Sequence, residues 1–232
     1  MSRPYPIHEV FHTFQGEGVH IGKPAFFIRT FGCPLHCPWC DSAGTWHKDY
    51  VPPRIARYVA GELARMAKES RAAIAIITGG EPAIHDLAPL THALHNHGIR
   101  VHVETSGAFP INAPVDWITL SPKFAKLPLP EIVDKCHEMK WIIDSVENLH
   151  KWKVWHVEQL HRGACHTEHI WLHPEWSQRT NPDILGAISH AVKRGGGLYR
   201  AGWQMHKLYQ VDALDKRTQP LVPLGGDPTK GF

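Results

Sequence analysis

The chain is short of charge, of cysteine and of long apolar runs, and each shortage narrows what it can be. Charged residues make up 20% of the 232, and the net charge is only +3 with no dense Lys/Arg block. That balance argues against a partner made of nucleic acid. No apolar stretch approaches the roughly 20 residues that a membrane-spanning helix needs, and Met1-Ser2-Arg3-Pro4-Tyr5-Pro6 lacks the apolar core of a signal peptide. A membrane role is therefore not expected. Five cysteines, three of them within eight residues, do not form a secreted disulfide framework, so the expected setting is a reducing cytoplasm. Histidine is plentiful at 19, yet no H-E-x-x-H pattern occurs, which removes one common zinc-hydrolase motif. Internal repeats and low-complexity stretches are also missing.

What is present starts with those three cysteines. They read Cys33-Pro34-Leu35-His36-Cys37-Pro38-Trp39-Cys40, a C-x3-C-x2-C run directly after the strand-like Pro24-Ala25-Phe26-Phe27-Ile28-Arg29. Three thiolates in so short a loop can converge on one centre, as iron–sulfur ligands do. A structural zinc ion wants four ligands, whereas three cysteines on a four-iron cubane leave one iron open. The residues alone leave two other readings: a zinc site completed by His36 or His47, or reactive thiols.

Downstream, short apolar runs alternate with helical periodicity. Residues 53–70 read as a helix with Pro53 in its first turn and Ile55, Val59, Leu63 and Met66 on one face. Strands are expected at Ala72 to Thr78, Ile99 to Glu104, Trp117 to Leu120, Lys140 to Asp144 and His169 to His173. Helices are expected through Leu87, Leu90 and Leu94, over Val146–His161 with Trp152 and Trp155 in the core, and from Asn181-Pro182-Asp183 onward. With the strand before the cysteines this makes six, in βαβ order, hence a parallel sheet. Cys33, Gly80, Ser106, Ser121 and His173 all follow or close an apolar run, and ligands of parallel α/β folds collect at such carboxyl ends. Only the tail from about Gln219, rich in proline and glycine, reads as poorly ordered.

C-x3-C-x2-C followed by Gly79-Gly80-Glu81-Pro82 resembles the signature of radical S-adenosylmethionine (SAM) enzymes. Tyr5-Pro6-Ile7, Gln15-Gly16-Glu17-Gly18, Pro24 to Arg29, Trp39-Cys40-Asp41, Thr78 to Pro82, Glu104-Thr105-Ser106-Gly107, Ser121-Pro122-Lys123 and Gln204-Met205-His206-Lys207 narrow the likeness. In that order they resemble the family of 7-carboxy-7-deazaguanine synthases, over about Tyr5 to Lys207.

The resemblance implies a partial, open (β/α)6-type TIM barrel over residues 1–210, with residues 211–232 as a C-terminal extension. It implies a lyase in queuosine-type 7-deazapurine biosynthesis. The reaction would turn 6-carboxy-5,6,7,8-tetrahydropterin into 7-carboxy-7-deazaguanine, with ring contraction and loss of ammonia. Its cofactors would be a [4Fe–4S] cluster, SAM and Mg²⁺; its partners an electron donor such as flavodoxin or ferredoxin and a second copy in a homodimer. Cys33, Cys37 and Cys40 would hold the cluster. Trp39, Cys40, Asp41, Gly80, Ser106, Ser121, Pro122, Lys123 and His173 would meet SAM, with His173-Pro174 standing where the family has Gln-Pro. Phe14, Gln15, Gly16, Glu17, Arg29, Thr78 and His206 would line the pterin, Arg29 by pairing with its carboxylate. Ser42 would supply the Mg²⁺ ligand that the family takes from threonine. Two rival readings stay in play: an activase of glycyl-radical enzymes or anaerobic ribonucleotide reductase, and a zinc-binding interaction module.

Overall fold

The computed structural model describes residues 3–163, 167, 169–209 and 229. Cys165 and the expected extension, Thr229 apart, lie outside the described residues. One nine-stranded sheet runs in the order β3-β1-β2-β4-β5-β6-β7-β8-β9. Seven of these strands are parallel neighbours: β2 (Pro24–Thr30), β4 (Ile74–Gly79), β5 (Arg100–Thr105), β6 (Trp117–Leu120), β7 (Glu138–Ile143), β8 (Ile170–Pro174) and β9 (Tyr199–Ala201). β1 (Tyr5–Phe14) pairs antiparallel with β2, and the short β3 (Ala56–Tyr58) pairs antiparallel with β1. Among the described residues β3 and β9 are free edges, so the sheet is an open, partial barrel, as expected.

Two departures from the sequence reading have local causes. The helix expected from Pro53 begins only as α1 (Ala60–Glu69). Glu62 reaches back to accept the Val59 N–H at 2.9 Å, which sets the helix start there, while Ala56–Tyr58 is drawn into pairing with Tyr5, Pro6 and Ile7. β1 was not anticipated, because a register shift between Ile7 and Glu9 interrupts its two-residue period. The other helices fall close to expectation: α2 (Ala88–Asn96), α4 (Val146–His161) capped by Ser145 on the Asn148 N–H, and α5 (Pro182–Arg194) capped by Asn181 on the Asp183 N–H. Short α3 (Pro130–Lys135) and α6 (Met205–Leu208) complete the set.

Strand alternation sorts the side chains into an outer and an inner layer. Outward, Phe26, Ile28, Ala75, Ile77, Val101 and Val103 pack under α1 and α2. Farther along the sheet, Ile118, Leu120, Met139, Trp141, Ile143, Ile170 and Leu172 pack under α3, α4 and α5, with Trp152 and Trp155 in that core as expected. Inward, one half of the bore is apolar, formed by Phe11, Ala25, Phe27, Ile74 and Ile76. The other half is polar: His102 and Glu104 alternate with the outer residues of β5, and Glu138 and Lys140 with those of β7. A bore apolar on one wall and charged on the other is an asymmetric vessel, and the loops at the strand ends complete it.

Candidate active site

The loop between β1 and β2 folds back into the bore instead of standing off the sheet. Gln15 N–H donates to the Lys23 carbonyl at 2.8 Å, and Gly22 N–H to the Gln15 carbonyl at 2.7 Å. From this tight return Gln15 Nε2 donates to Glu104 Oε1 at 2.7 Å, and Val19 N–H to Glu138 Oε2 at 2.8 Å. Glu17 receives the Lys140 ammonium. Glycine is needed here for the protein's own packing. A Cβ at Gly18, whose φ is +67°, would lie 2.5 Å from the Glu138 carboxylate, and one at Gly16 would lie 2.3 Å from His206 Nδ1. Glu138 also accepts from Trp117 Nε1, the Thr119 hydroxyl and Trp171 Nε1. It is a fully bonded floor post at the amino-terminal end of β7, not a free acid.

Above that floor the Glu17–Lys140 pair is buried. Burial raises a carboxyl pKa, yet Lys140, with His173 and His206 nearby, outweighs it and holds Glu17 well below the usual range. For Lys140, burial favours the neutral amine, but Glu17 and Glu104 overcome it and push the ammonium higher. Both groups are therefore ionised at neutral pH.

The cysteine loop rises from the end of β2. Its base is fixed by Phe31 N–H to the Pro6 carbonyl (2.9 Å) and Gly32 N–H to the Thr45 carbonyl (3.0 Å). Cys33, Cys37 and Cys40 are free thiols, each partly exposed toward one cavity. Burial raises all three pKa values, that of Cys40 to about 12 with Asp41 adding to the effect, so metal binding here must expel protons. Lys123 faces the loop and favours the thiolate form of Cys37. It donates to the Ser121 carbonyl at 2.6 Å and Ser121 Oγ at 2.7 Å, and its ammonium lies 5.2 Å from the centre of the Trp39 ring. The two histidines that a zinc reading would use both pack on Trp46: His36 lies flat on its ring at 4.2 Å and His47 meets it edge-on at 5.3 Å. Among the described residues no three His, Cys, Asp or Glu side chains are gathered closely enough for a lone metal ion. A cubane holds its cysteine sulfurs farther apart than one tetrahedral ion does, so the donor set of three thiols around one cavity suits a cluster.

The G-G-E-P turn packs directly on the base of the cysteine loop. A Cβ at Gly79 (φ +126°) would come within 2.3 Å of the Thr30 carbonyl oxygen, and one at Gly80 within 2.1 Å of the Gly32 oxygen and 2.9 Å of Cys33 Cβ. Here too the glycines serve backbone-to-backbone approach. Glu81, one residue on, is buried and accepts from the Thr105 hydroxyl (2.5 Å), Ser106 N–H (2.8 Å), the Ser106 hydroxyl (2.5 Å) and Ala83 N–H (3.0 Å). It ties the ends of β4 and β5 together and aims Ser106.

The carboxyl-terminal segment closes the remaining side. Met205 N–H donates to the Gly16 carbonyl at 3.0 Å, and Tyr209 meets Phe14 edge-on. The buried Lys207 ammonium sits 2.9 Å from Asp41 Oδ2 and over the Trp176 ring. Burial would raise the Asp41 pKa, but Lys207, helped by Arg29, keeps it well below normal. Asp41 keeps 37% of its side chain exposed, so this bond orients the loop more than it stabilises the fold.

These elements enclose one cavity of about 240 Å³. Its wall includes Phe14, Gln15, Gly16, Glu17, Arg29, Cys33, Cys37, Trp39, Cys40, Asp41, Ser42, Thr78, Gly80, Ser106, Ser121, Lys123 and His206. Two expected SAM contacts are not in that wall. Pro122 is buried between Ser121 and Lys123. His173 is buried beside the Glu17–Lys140 pair, with its ring against Gly202. Burial lowers its pKa to about 4, so the imidazole is neutral. Glu175 and Trp176, just beyond β8, reach the cavity instead. Arg29 does line it, but with prior engagements: Nε is 2.7 Å from Glu9 Oε1, and Nη1 donates to Ser42 Oγ at 2.6 Å.

Glu81, Glu104, Lys140, Glu175, Trp176 and Lys207 also line the cavity and were not anticipated as site residues. Lys140 and Glu104 carried a readable signal, since each shares the inward face of its strand with a second polar residue, Glu138 or His102, while the alternate positions Met139, Trp141, Val101 and Val103 are apolar. Lys207 carried none beyond its place in Gln204-Met205-His206-Lys207, because its partner Asp41 is 166 positions away in the chain.

Comparison with known proteins agrees with this geometry. The family model described as the Radical SAM superfamily matches residues 27–157. A 7-carboxy-7-deazaguanine synthase from Synechocystis sp. is 44% identical over 209 residues, covering 89% of this chain and 93% of the relative. Another of that name from Flavobacterium psychrophilum is 35% identical, covering 89% and 92%. The crystal structure of QueE from Escherichia coli superimposes with a TM-score of 0.72 at 29% identity, over 88% of this chain and 95% of that one.

Proposed function

The chain belongs to the 7-carboxy-7-deazaguanine synthase family of the radical SAM superfamily, and from that membership we propose how its cavity is shared between cofactors and substrate. The reaction is the radical SAM formation of 7-carboxy-7-deazaguanine in 7-deazapurine biosynthesis. The substrate we assign is 6-carboxy-5,6,7,8-tetrahydropterin, a small anionic heterocycle. One observation carries the assignment: the cysteine loop, the G-G-E-P turn and the Q-G-E-G loop, distant in sequence, line a single cavity.

Cys33, Cys37 and Cys40 would hold a [4Fe–4S] cluster, leaving one iron open toward the cavity. Bound there, cluster and SAM supply the reductive cleavage and the 5′-deoxyadenosyl radical that takes hydrogen from substrate C6. The protein's part is orientation. Trp39, Asp41, Gly80, Ser106, Ser121 and Lys123 form the SAM side, with Glu81 holding Ser106 and Lys207 holding Asp41. Pro122 supports that side from behind, while His173 stands behind the Glu17–Lys140 pair. Gln15, Gly16, Glu17, Thr78 and His206 form the pterin side together with Glu104. Gln15 and Glu104 offer a donor and an acceptor to a polar ring edge, while Phe11, Phe14 and Phe27 supply apolar surface.

Arg29 and Ser42 would act together. With its guanidinium on Ser42 Oγ, Arg29 opposes a cation at that oxygen. On arrival of the pterin carboxylate Arg29 would turn its fork to that group, leaving Ser42 Oγ as a hydroxyl oxygen of the kind that would hold Mg²⁺. Substrate and metal binding are then coupled. We extend the reading to a one-electron donor of the flavodoxin or ferredoxin kind, a homodimer and a cytoplasmic setting, all three resting on family likeness. Among the described residues no helix is long and apolar enough to cross a membrane.

The test is anaerobic turnover of carboxytetrahydropterin with SAM, dithionite and Mg²⁺, read by mass spectrometry. Formation of 7-carboxy-7-deazaguanine with one equivalent of ammonia is expected. SAM cleavage that leaves the pterin intact would defeat the substrate assignment.

A further inference from the structure

Trp46 stands outside the cavity wall, behind the cysteine loop, and its indole Nε1–H donates to Cys40 Sγ at 3.4 Å. The arrangement is built from several directions. The turn before it, Ala43–Thr45, is buried, and Thr45 holds the Gly32 N–H at the start of the cysteine loop while its own hydroxyl donates to the Ser42 carbonyl at 2.7 Å. Trp46 N–H donates to the Ala43 carbonyl at 3.0 Å. On the ring's face His36 is stacked at 4.2 Å with 14° between the planes, and His47 meets it edge-on at 5.3 Å. His36 sits in the left-handed region at φ +50°, a backbone conformation with a cost for a non-glycine residue. That conformation lays the imidazole on the indole. The ring is thus clamped with its N–H directed at one sulfur.

We infer that Trp46 is a positioning residue for electron entry, whose indole N–H raises the reduction potential of the cluster bound through Cys40. This rests on the reading above, in which Cys40 is a cluster ligand. A hydrogen bond to a ligating sulfur draws off negative charge, and hydrogen bonding to sulfur is a principal control on cluster potential. The cluster gains one negative charge when it takes an electron from the one-electron donor, which is oxidised by the same electron. The N–H stabilises the reduced form more than the oxidised one. Because Trp46 does not line the cavity, it acts on the cluster without touching SAM or pterin.

The test compares reconstituted, anaerobic wild type with Trp46→Phe, which keeps an aromatic face for His36 and removes the donor. Iron content is measured first, then the cluster potential by redox titration followed by electron paramagnetic resonance, without SAM. The variant's reduction equilibrium should fall about tenfold, which is about 59 mV for one electron. A potential that is unchanged, raised, or lowered by less than about threefold overturns the inference. Should Trp46→Phe fail to hold iron, benzothienylalanine at position 46, which keeps both rings and replaces N–H by sulfur, is titrated instead with the same expectation. In wild type carrying ¹⁵N-labelled indole, pulsed resonance should show nitrogen coupled to the reduced cluster, and its absence also overturns the inference. Wild type that binds no four-iron cluster would sink the functional reading itself, a result distinct from failure of the Trp46 role.

Discussion

Lys140→Met is the perturbation whose size the structure sets most directly. The Lys140 and Glu17 side chains are only 14% and 8% exposed and form an ion pair in the polar half of the bore. Removing the ammonium leaves a buried carboxylate near neutral His173 without its main partner, a defect worth about 3–5 kcal/mol. The pH dependence carries the sharper signature. In wild type the Glu17 pKa is depressed below its ordinary 4.5 and that of Lys140 is raised above its ordinary 10.5. The acid's contribution is complete above 4.5 and fades as pH falls through the lower folded value. The lysine's is complete below 10.5 and fades as pH rises through the higher folded value. The pair's contribution is therefore flat between pH 5 and 8. In Lys140→Met, burial is left to raise the Glu17 pKa, so the variant's deficit relative to wild type, which carries the same buried histidines, grows as pH rises across that window. Urea unfolding of the cluster-free proteins, followed by tryptophan fluorescence at pH 5 and pH 8, reads both effects. Glu17→Gln combined with Lys140→Met should lose no more than about 2 kcal/mol, since no charge is left stranded. A single variant no weaker than the double, or one whose deficit relative to wild type is the same at both pH values, would refute the reasoning.

Cys33→Ala, Cys37→Ala and Cys40→Ala should each abolish four-iron reconstitution and SAM cleavage, whereas Cys136→Ala, whose thiol is buried against the Val133 carbonyl, should keep both by iron assay and 5′-deoxyadenosine release. Arg29→Lys keeps the charge and loses the planar fork, so pterin affinity should fall about tenfold by equilibrium binding while SAM affinity holds; collapse of SAM binding alone would invert the assignment. In Mg²⁺ titrations of turnover at saturating SAM, Ser42→Ala should lose most of the stimulation and Ser42→Thr should retain or strengthen it. Curves for wild type and Ser42→Ala that coincide would remove Ser42 from the metal site.

The parallel core was readable because its strands are short apolar runs, and Ile74–Gly79, Arg100–Thr105 and Trp117–Leu120 lie within two residues of the runs that announced them. The edges were harder. β1 mixes Glu9, His8 and His12 into its span and breaks period at a bulge, and β3 exists only because Tyr5–Ile7 lies beside it. β9 is three residues long and takes its pairing from β8. In the site, motif residues were visible as motifs, yet several owe their identity to contacts no local pattern displays. Gly80 is small because Gly32 passes within a side chain's width. Glu81 serves Thr105 and Ser106, and Trp46 lies six residues past the sulfur it touches. His173 shows the opposite case: it stands at a strand end, where ligand contacts gather, but it is buried, and the two residues after Pro174 line the cavity.

The most direct measurement is a label transfer. Pterin bearing deuterium at C6 is turned over anaerobically by the reconstituted protein, and 5′-deoxyadenosine is analysed by mass spectrometry. If the cavity sets the cluster-and-SAM side against the pterin side, deuterium appears in 5′-deoxyadenosine as 7-carboxy-7-deazaguanine forms. Product formed while 5′-deoxyadenosine stays unlabelled would contradict the account.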